Sequence, residues 1–191
     1  MAKIPLKDRP IAFVDGETTG LDPRVHELIE LAAVKRNLTG VHVFEAKIKP
    51  ERLENASPEA LAINGYNEKE WQDARPLSEV LPEFVAFVAG TVIAGQNIRF
   101  DMGFINAGIE RLGLDARIDY HLIDVSTMAY EHLVPLGLNS LSLKNICKFI
   151  GIEPEPNMHR ALNGAMSAKD VFSALERATW WDRMRWKRTN R

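Results

Sequence analysis

The hydrophobic pattern opens with a short apolar run at 11–14 that is closed by Gly16. An apolar run without polar alternation is typical of a strand that is buried on both faces. Two longer runs at 28–38 and 41–48 flank a Thr-Gly pair that includes Gly40, and the second run partly alternates. Two such runs around a short turn predict a β-hairpin. We therefore expect the first three strands to be antiparallel neighbours.

After the hairpin, apolar residues follow helical spacing that is interrupted by short β-type runs. The pattern predicts helices at 57–64, 76–88, 102–112, 141–149 and about 160–185, and strands at 91–94 and 120–125. Strands that alternate with helices after a hairpin predict an α/β domain with a mixed sheet covered by helices. No repeat or linker divides the chain, so we expect one domain over 1–191, with a core at about 10–176 and an extension at 177–191.

Composition narrows the class of protein. At 191 residues and 46% hydrophobic content, the chain is long enough for one well-buried core. The net charge of -2 argues against a surface that grips nucleic acid everywhere, so any such contact must be local or mediated by metal ions. The single cysteine, Cys147, and the absence of an apolar leader in the first ten residues predict a cytoplasmic location. The longest apolar stretch, at 85–94, falls short of the roughly 20 residues of a spanning helix, so we expect no membrane segment.

Two carboxylates lie at the end of the first predicted strand. Asp15 and Glu17 are two positions apart, so both side chains project from the same side of the strand. Acidic residues at strand ends are often only solvated, but like charges held this close are stabilised by a cation. The hydroxyls of Thr18 and Thr19 and the flexible backbone of Gly20 follow directly, which favours a ligand site. Hard oxygen ligands predict Mg²⁺ or Mn²⁺.

Two further residues are candidates for the same site. Asp101 follows the predicted strand at 91–94, where it either caps the next helix or joins the first two carboxylates at one edge of the sheet. His159 precedes the last predicted helix, where many histidines are merely exposed. An imidazole with an unperturbed pKa of roughly 6.5 is also well matched to accept a proton from water near neutral pH.

Three segments in this order, at 11–20, 97–101 and 159–162, resemble the DEDD exonucleases in their histidine-bearing (DEDDh) branch, which includes the proofreading subunit of bacterial DNA polymerase III. The resemblance covers most of the chain and implies a ribonuclease H-like fold. It also implies removal of nucleotides from 3′ ends by two Mg²⁺ or Mn²⁺ ions. Asp15, Glu17 and Asp101 would bind the metals, and His159 would act as the general base.

The resemblance also implies a nucleotide-binding set and a class of partner. The implied nucleotide-binding residues are Thr18, Thr19, Gly20, Leu21, Asn97 and Phe100. The expected substrate is the 3′ end of single-stranded DNA or RNA. A polymerase or a second copy of the chain is the expected protein partner.

Gly164 departs from the family pattern, because the family places a metal-binding aspartate five positions after the histidine. That aspartate would support the metal that carries the attacking water. The neighbours that share its helix face are not carboxylates; they are Arg160, Ala161, Ser167 and Ala168. We therefore expect reduced or abolished activity. The alternatives are a non-catalytic module that binds nucleic-acid ends or a polymerase on the same fold and, third, a scaffold without nucleic-acid function.

The C-terminal segment at 180–191 mixes tryptophans with cations and has two interpretations. One is a tail that stacks on bases and binds phosphates of single-stranded nucleic acid. The other, which we favour here, is a terminal helix whose tryptophans pack on the core while its charges stay solvated. Cys147 lies within an apolar helical pattern and is expected to be a small core residue.

Overall fold

A computed structural model describes residues 5–37, 40–116, 118–156 and 158–189. Within these ranges the strands are β1 (Ile11–Thr18), β2 (Leu28–Asn37), β3 (Gly40–Lys47), β4 (Val92–Gly95) and β5 (Leu122–Asp124). The helices are α1 (Pro58–Asn64), α2 (Leu77–Val88), α3 (Ile98–Arg111), α4 (Val125–Leu133), α5 (Leu143–Ile150), α6 (Ala161–Glu176) and α7 (Trp180–Thr189). None of these helices is both long enough and apolar enough to cross a lipid bilayer.

The strands form one five-stranded sheet in the order β3-β2-β1-β4-β5. β1 pairs antiparallel with β2, and β2 pairs antiparallel with β3. β4 lies parallel to both β1 and β5. The prediction of a mixed sheet with an N-terminal antiparallel group is confirmed, and so is the hairpin. Leu38, the last residue of the predicted strand run, and Thr39 of the predicted turn lie outside the described residues.

Helices cover both faces of the sheet, and alternating residues of β1 reach both cores. Phe13 packs with residues of α4, α5 and α6, whereas Ala12 and Val14 pack with residues of α2 and α3. Successive side chains of a strand point to opposite faces, so a central strand needs an unbroken apolar run. Cys147 is buried in the first of these cores, as predicted. This burial on both sides fixes β1, and with it the position of the acidic residues at its end.

The first strand is longer than the sequence pattern indicates. Gly16 does not close it, because β1 continues to Thr18. Glu17 pairs with Glu30 of β2, and the register shifts between Glu17 and Thr18. Asp15 and Glu17 therefore belong to a paired strand rather than to the loop after it.

The interpretation of Asp101 as a helix cap is wrong, because α3 begins four residues earlier than the predicted helix. Asn97 occupies the N-cap position in a left-handed conformation with φ 50°. Asp101 lies in the first turn of α3, is buried, and accepts a hydrogen bond from the Gly16 amide. The alternative placement, at one sheet edge with the acidic residues of β1, is the one the structure shows.

The predicted helix at 160–185 is wrong, because the chain forms two helices, α6 and α7, separated by residues 177–179. Thr179 starts the second helix. Its amide and hydroxyl donate to Oδ2 of Asp182 at 3.0 and 2.6 Å, and its hydroxyl accepts from the Asp182 amide at 3.3 Å. This reciprocal capping satisfies backbone groups that a continuous helix would have satisfied itself.

The helix α4 was not predicted, because its apolar residues merge with those of the preceding strand. β5 has only three residues, and the predicted strand at 120–125 is therefore too long. Asp124 ends the strand and caps α4 by accepting a hydrogen bond of 2.8 Å from the Ser126 amide.

Candidate active site

Asp101 is tied directly to the end of β1. Its Oδ1 accepts a hydrogen bond of 3.0 Å from the main-chain amide of Gly16, which lies between Asp15 and Glu17. Burial raises the pKa of Asp101 to about 7, although the hydrogen bond from Gly16 acts in the opposite direction. Burial also raises the pKa of Asp15 well above its ordinary value, and the charges of Asp101 and Glu17 add to this effect. The parallel pairing of β1 with β4 thus brings these carboxylates to one edge of the sheet.

Glu17 lies opposite a second carboxylate on the neighbouring strand. Its register partner in β2 is Glu30, which is buried. Burial raises the pKa of Glu17 to about 8, and the charges of Glu30 and Glu155 contribute to this rise. Oε2 of Glu30 accepts a hydrogen bond of 3.1 Å from the Ala161 amide at the start of α6. Oε1 of Glu30 has no hydrogen-bond partner among the described residues.

His159 lies at the entrance to α6 with its side chain exposed. Its main-chain amide donates a hydrogen bond of 3.2 Å to the carbonyl of Ile63 in α1. The side chain of His159 lowers the pKa of the nearby Glu155. Burial acts in the opposite direction and raises the pKa of Glu155 overall. His159 is therefore attached to α1 through its backbone, and its ring remains accessible to water.

Arg160 connects the start of α6 to two other parts of the structure. Its Nη1 donates to the carbonyl of Asn64 and lies 3.7 Å from Oε1 of Glu30, and its Nη2 lies 2.8 Å from Oε2 of Glu70. Asn64 in turn donates a hydrogen bond of 3.0 Å to the carbonyl of Thr18. A chain of polar contacts thus runs from the end of β1 through α1 to the residue next to His159.

Gly164 faces Asp15. A β-carbon at position 164 would lie 2.7 Å from Cγ of Asp15, which is closer than van der Waals contact. The position that the family pattern assigns to the fourth carboxylate is therefore directly beside the first one. The Asp15 carboxylate occupies the space that a side chain at 164 would need, and it is the movable end of a flexible side chain.

The chemistry of these donors fits a divalent cation, but their arrangement is incomplete. Asp15, Glu17 and Asp101 offer hard oxygen ligands. Burial and neighbouring acids raise the pKa values of Asp15 and Glu17. A bound cation lowers such pKa values, because it stabilises the ionised carboxylates. Across the described ranges, no three His, Cys, Asp or Glu side chains are grouped so as to hold a metal ion. One oxygen of Asp101 is engaged by the Gly16 amide, and Gly164 contributes no ligand.

The hydroxyls in the predicted nucleotide-binding turn already have partners within the protein. The Thr18 hydroxyl donates to the carbonyl of Gly20 at 2.7 Å, and the Thr19 hydroxyl accepts from the Glu27 amide at 2.9 Å. A β-carbon on Gly20 would overlap the ring of His26, so a side chain at this position would require that ring to move. These contacts shape the turn and leave Leu21 at its tip, 81% exposed.

The other two residues of that predicted set flank the start of α3. Asn97 is exposed at the N-cap position. Phe100 is half-buried, and its ring centroid lies 5.1 Å from that of Phe104. Part of the Phe100 ring therefore supports the core, and the rest faces solvent.

Three residues near the site were not identified from the sequence. Glu30 is the single charge in the apolar part of the second run, at 28–34, and that interruption was a usable signal. Arg160 stands next to His159, but its role depends on contacts with distant segments. Glu155 influences Asp15 and Glu17 from the loop before His159, and the sequence carries no signal for this.

Comparison with known proteins decides the family. The sequence profile of the RNase_T family, described as exonuclease, matches residues 12–172. The chain belongs to this exonuclease family. It is 35% identical over 169 residues to the PolC-type DNA polymerase III of Thermotoga maritima, a match that covers 86% of the chain and 12% of that polymerase. The expectation of an exonuclease-family domain is confirmed.

Solved structures confirm the ribonuclease H-like fold. The apo structure of an exonuclease I superposes with a TM-score of 0.75 at 20% identity, covering 93% of this chain and 44% of that one. The zinc-bound complex of E. coli exonuclease I with single-stranded DNA superposes with a TM-score of 0.74 at 22% identity, covering 88% and 40%. The chain thus spans about 12% of the length of the polymerase and less than half of each exonuclease.

Proposed function

We propose that this chain is a 3′-to-5′ exonuclease domain that acts on single-stranded DNA and whose activity is reduced or abolished by Gly164. The observation that carries the proposal is the hydrogen bond of Asp101 to the Gly16 amide, between Asp15 and Glu17 at one end of the sheet, with position 164 directly against Asp15. Membership in the exonuclease family supports the reaction class. The polymerase relative and the exonuclease I complex with single-stranded DNA support DNA as the substrate.

Asp15, Glu17 and Asp101 are the residues that would hold Mg²⁺ or Mn²⁺. When bound, two such ions neutralise the carboxylates and the substrate phosphate and lower the pKa of water. A zinc-bound form of E. coli exonuclease I supports a divalent-metal site in this fold. The raised pKa values of Asp15 and Glu17 support it too, because both carboxyl groups lie among other acids that disfavour their ionised forms.

His159 would accept the proton of the attacking water, because its ring is exposed and interacts with Glu155, whose charge also acts on Asp15 and Glu17. The contacts of Arg160 with Asn64 and Glu70 would keep His159 in place.

The turn that ends at Leu21 would contact the terminal nucleotide, with Leu21 as the exposed apolar surface. Asn97 and Phe100 would contact the same nucleotide from the start of α3.

Gly164 would remove one anionic ligand without removing the rest of the site. Asp15 and Asp101 remain, so one metal position would keep its protein ligands. The other would depend on Asp15 and Glu17, both of which have raised pKa values and bind cations in competition with protons.

The test compares the chain with Gly164→Asp and Gly164→Asn on a 5′-labelled single-stranded oligonucleotide in Mg²⁺ or Mn²⁺. Asparagine has the size of aspartate without its charge, so it controls for the added side chain. We expect Gly164→Asp to raise hydrolysis from the 3′ end by two or more orders of magnitude and Gly164→Asn to change it little. An absence of hydrolysis by Gly164→Asp in both metals would contradict the exonuclease proposal.

The second candidate is a non-catalytic module that binds DNA ends or a polymerase, and the incomplete ligand set favours it. This function predicts oligonucleotide or partner binding by the parent chain in EDTA. It also predicts no cleavage by any of the three proteins. A polymerase and a second copy of the chain are the partners to be tested by pull-down and by sedimentation.

A further inference from the structure

Helix α7 carries an exposed aromatic surface that is not part of the candidate exonuclease site. Trp180 and Trp181 are 62% and 76% exposed, and their ring centroids lie 4.6 Å apart at an angle of 78°. Together with Met184, Arg185, Arg188 and Thr189 they line a shallow, open groove of about 620 Å³ along one face of α7. The interpretation that the tail tryptophans pack on the core is therefore wrong for these two residues.

The remaining tryptophan of this helix explains why the surface has a fixed orientation. Trp186 is 4% exposed, and its indole N–H donates a hydrogen bond of 3.1 Å to the carbonyl of Ile150 at the end of α5. Arg183 contacts His132 of α4, and the Thr179 cap fixes the first turn. α7 is thus held on the body of the protein by its buried face. The opposite face presents two adjacent indole rings to solvent.

The charge of this segment differs from that of the rest of the chain. Residues 177–191 contain six basic residues and one acidic residue. The whole chain has 24 basic and 26 acidic residues, so the other 176 residues contain 18 basic and 25 acidic ones. A polyanion is therefore attracted to this segment and repelled by the remainder. Arg185 forms an exposed ion pair of 3.4 Å with Asp182, whereas Arg188 forms no hydrogen bond or ion pair with any described residue, so its guanidinium is available to a ligand.

We propose that the groove of α7 binds single-stranded DNA, with bases stacking on Trp180 and Trp181 and phosphates contacting Arg185 and Arg188. Exposed indole rings beside guanidinium groups match the flat bases and regular charges of a single strand. A purely acidic peptide would use the cations but would not need two adjacent aromatic rings. The choice of DNA rests on the proposed exonuclease function.

The test uses a fluorescent, covalently closed single-stranded DNA circle of about 40 nucleotides, in EDTA, with anisotropy as the readout. A circle has no 3′ end and EDTA prevents metal-dependent cleavage, so the measurement is independent of the exonuclease site. We expect Trp180→Ala/Trp181→Ala to weaken binding at least about tenfold, because stacking is removed at two rings. Both side chains are exposed, so the thermal unfolding temperature of this variant should equal that of the parent.

Two single substitutions of equal charge separate a site from general attraction. Arg188 lines the groove, whereas Lys187 on the same helix does not. We expect Arg188→Gln to weaken binding and to reduce the salt dependence, by about 0.7 in the log–log slope for each phosphate that the arginine neutralises. Lys187→Gln should have a clearly smaller effect.

Three results would overturn the proposal. These are unchanged affinity of the double tryptophan variant, equal weakening in Arg188→Gln and Lys187→Gln, and a parent dimer that the tryptophan substitutions convert to a monomer without affecting DNA binding. The last result would identify the groove as an interface between copies of the chain. A failed cleavage assay with Gly164→Asp alongside tryptophan-dependent binding of the circle would reject the exonuclease function and leave the DNA-binding surface in place.

Discussion

The carboxylate of Asp15 in β1 fills the space beside Gly164 of α6, because a β-carbon on the glycine would lie 2.7 Å from Cγ of the aspartate. The missing side chain and the carboxylate that remains are therefore not independent. Any residue placed at 164 moves the Asp15 carboxylate, and any cation bound by Asp15 lies near position 164.

This relationship predicts that Gly164→Asp makes stability dependent on metal. In EDTA the new carboxylate joins a buried group of acids, so the variant should unfold several degrees below Gly164→Asn. Mn²⁺ should raise its unfolding temperature, because a ligand that binds only the folded state stabilises that state. Differential scanning calorimetry with and without Mn²⁺ checks this. Equal shifts in the aspartate and asparagine variants would show that position 164 does not contribute to a metal site.

The raised pKa values predict the direction of pH dependence in the metal-free protein. The pKa of Glu17 is raised to about 8 by burial and by Glu30 and Glu155, and that of Asp101 to about 7 by burial. Between the ordinary carboxyl pKa and these values, the folded state holds more protons than the unfolded state. The free energy of unfolding should therefore decrease as pH rises from about 4.5 to 8.

Urea unfolding in EDTA at several pH values measures this slope. Glu17→Gln should flatten it, because glutamine does not ionise. Glu83→Gln provides the matched control, since Glu83 is exposed and its pKa is lowered by Arg75. A free energy of unfolding that increases steadily over this pH interval would contradict the prediction.

Arg160 should act as a positioning residue for His159. In the Gly164→Asp background, we expect Arg160→Gln to lower kcat about tenfold or more, because small displacements of a reacting group are costly. Arg160→Lys should rescue little, since one ammonium group cannot reach Asn64, Glu70 and Glu30 together.

Arg75→Gln is the matched control for this experiment, because Arg75 also contacts two glutamates, Glu79 and Glu83, away from the site. It should leave kcat unchanged. Single-turnover cleavage under saturating protein separates kcat from strand binding. If Arg160→Gln affects only binding, Arg160 contacts substrate rather than positioning His159.

The cap at Thr179 should stabilise α7 locally. Thr179→Ala removes the contacts with Asp182 and should cost about 1 kcal/mol of helix stability. Hydrogen exchange should increase in residues 180–189 while α6 remains protected. Ser57→Ala, which removes the cap of α1, is the matched control and should affect residues 58–64 instead. Unchanged exchange in α7 would mean that the buried Trp186 alone holds the helix.

The elements with strong local signals were predictable from the sequence. The apolar run before Asp15, the Thr-Gly turn of the hairpin and the Ser57 cap all depend on neighbouring residues, and the strand, the hairpin and the capped helix are present in the structure. Asp101 could be assigned to the sheet edge only as one of two alternatives. The choice depended on where α3 begins, and Asn97 in a left-handed conformation leaves no clear pattern in a single sequence.

Features that depend on distant contacts were missed or misplaced. The break before α7 followed from a capping pair, Thr179 and Asp182, within an otherwise helical pattern. The role of Arg160 required partners about 90 residues away, as its contact with Glu70 shows. The nearness of Gly164 to Asp15 required the packing of α6 on β1, whereas the departure at 164 itself was visible from the motif alone.

The four tryptophans of the chain divide into a buried pair and an exposed pair. Trp71 and Trp186 are buried, whereas Trp180 and Trp181 face water. The Arg160 guanidinium lies 5.4 Å from the Trp71 ring, so the emission of Trp71 should respond to changes beside the candidate catalytic centre. The emission of Trp180 and Trp181 should be red-shifted and accessible to iodide, and should respond to changes at α7. The iodide-accessible part of the intrinsic fluorescence should therefore report on the exposed face of α7, whereas the protected part should combine Trp71, near the candidate catalytic centre, with Trp186 of α7.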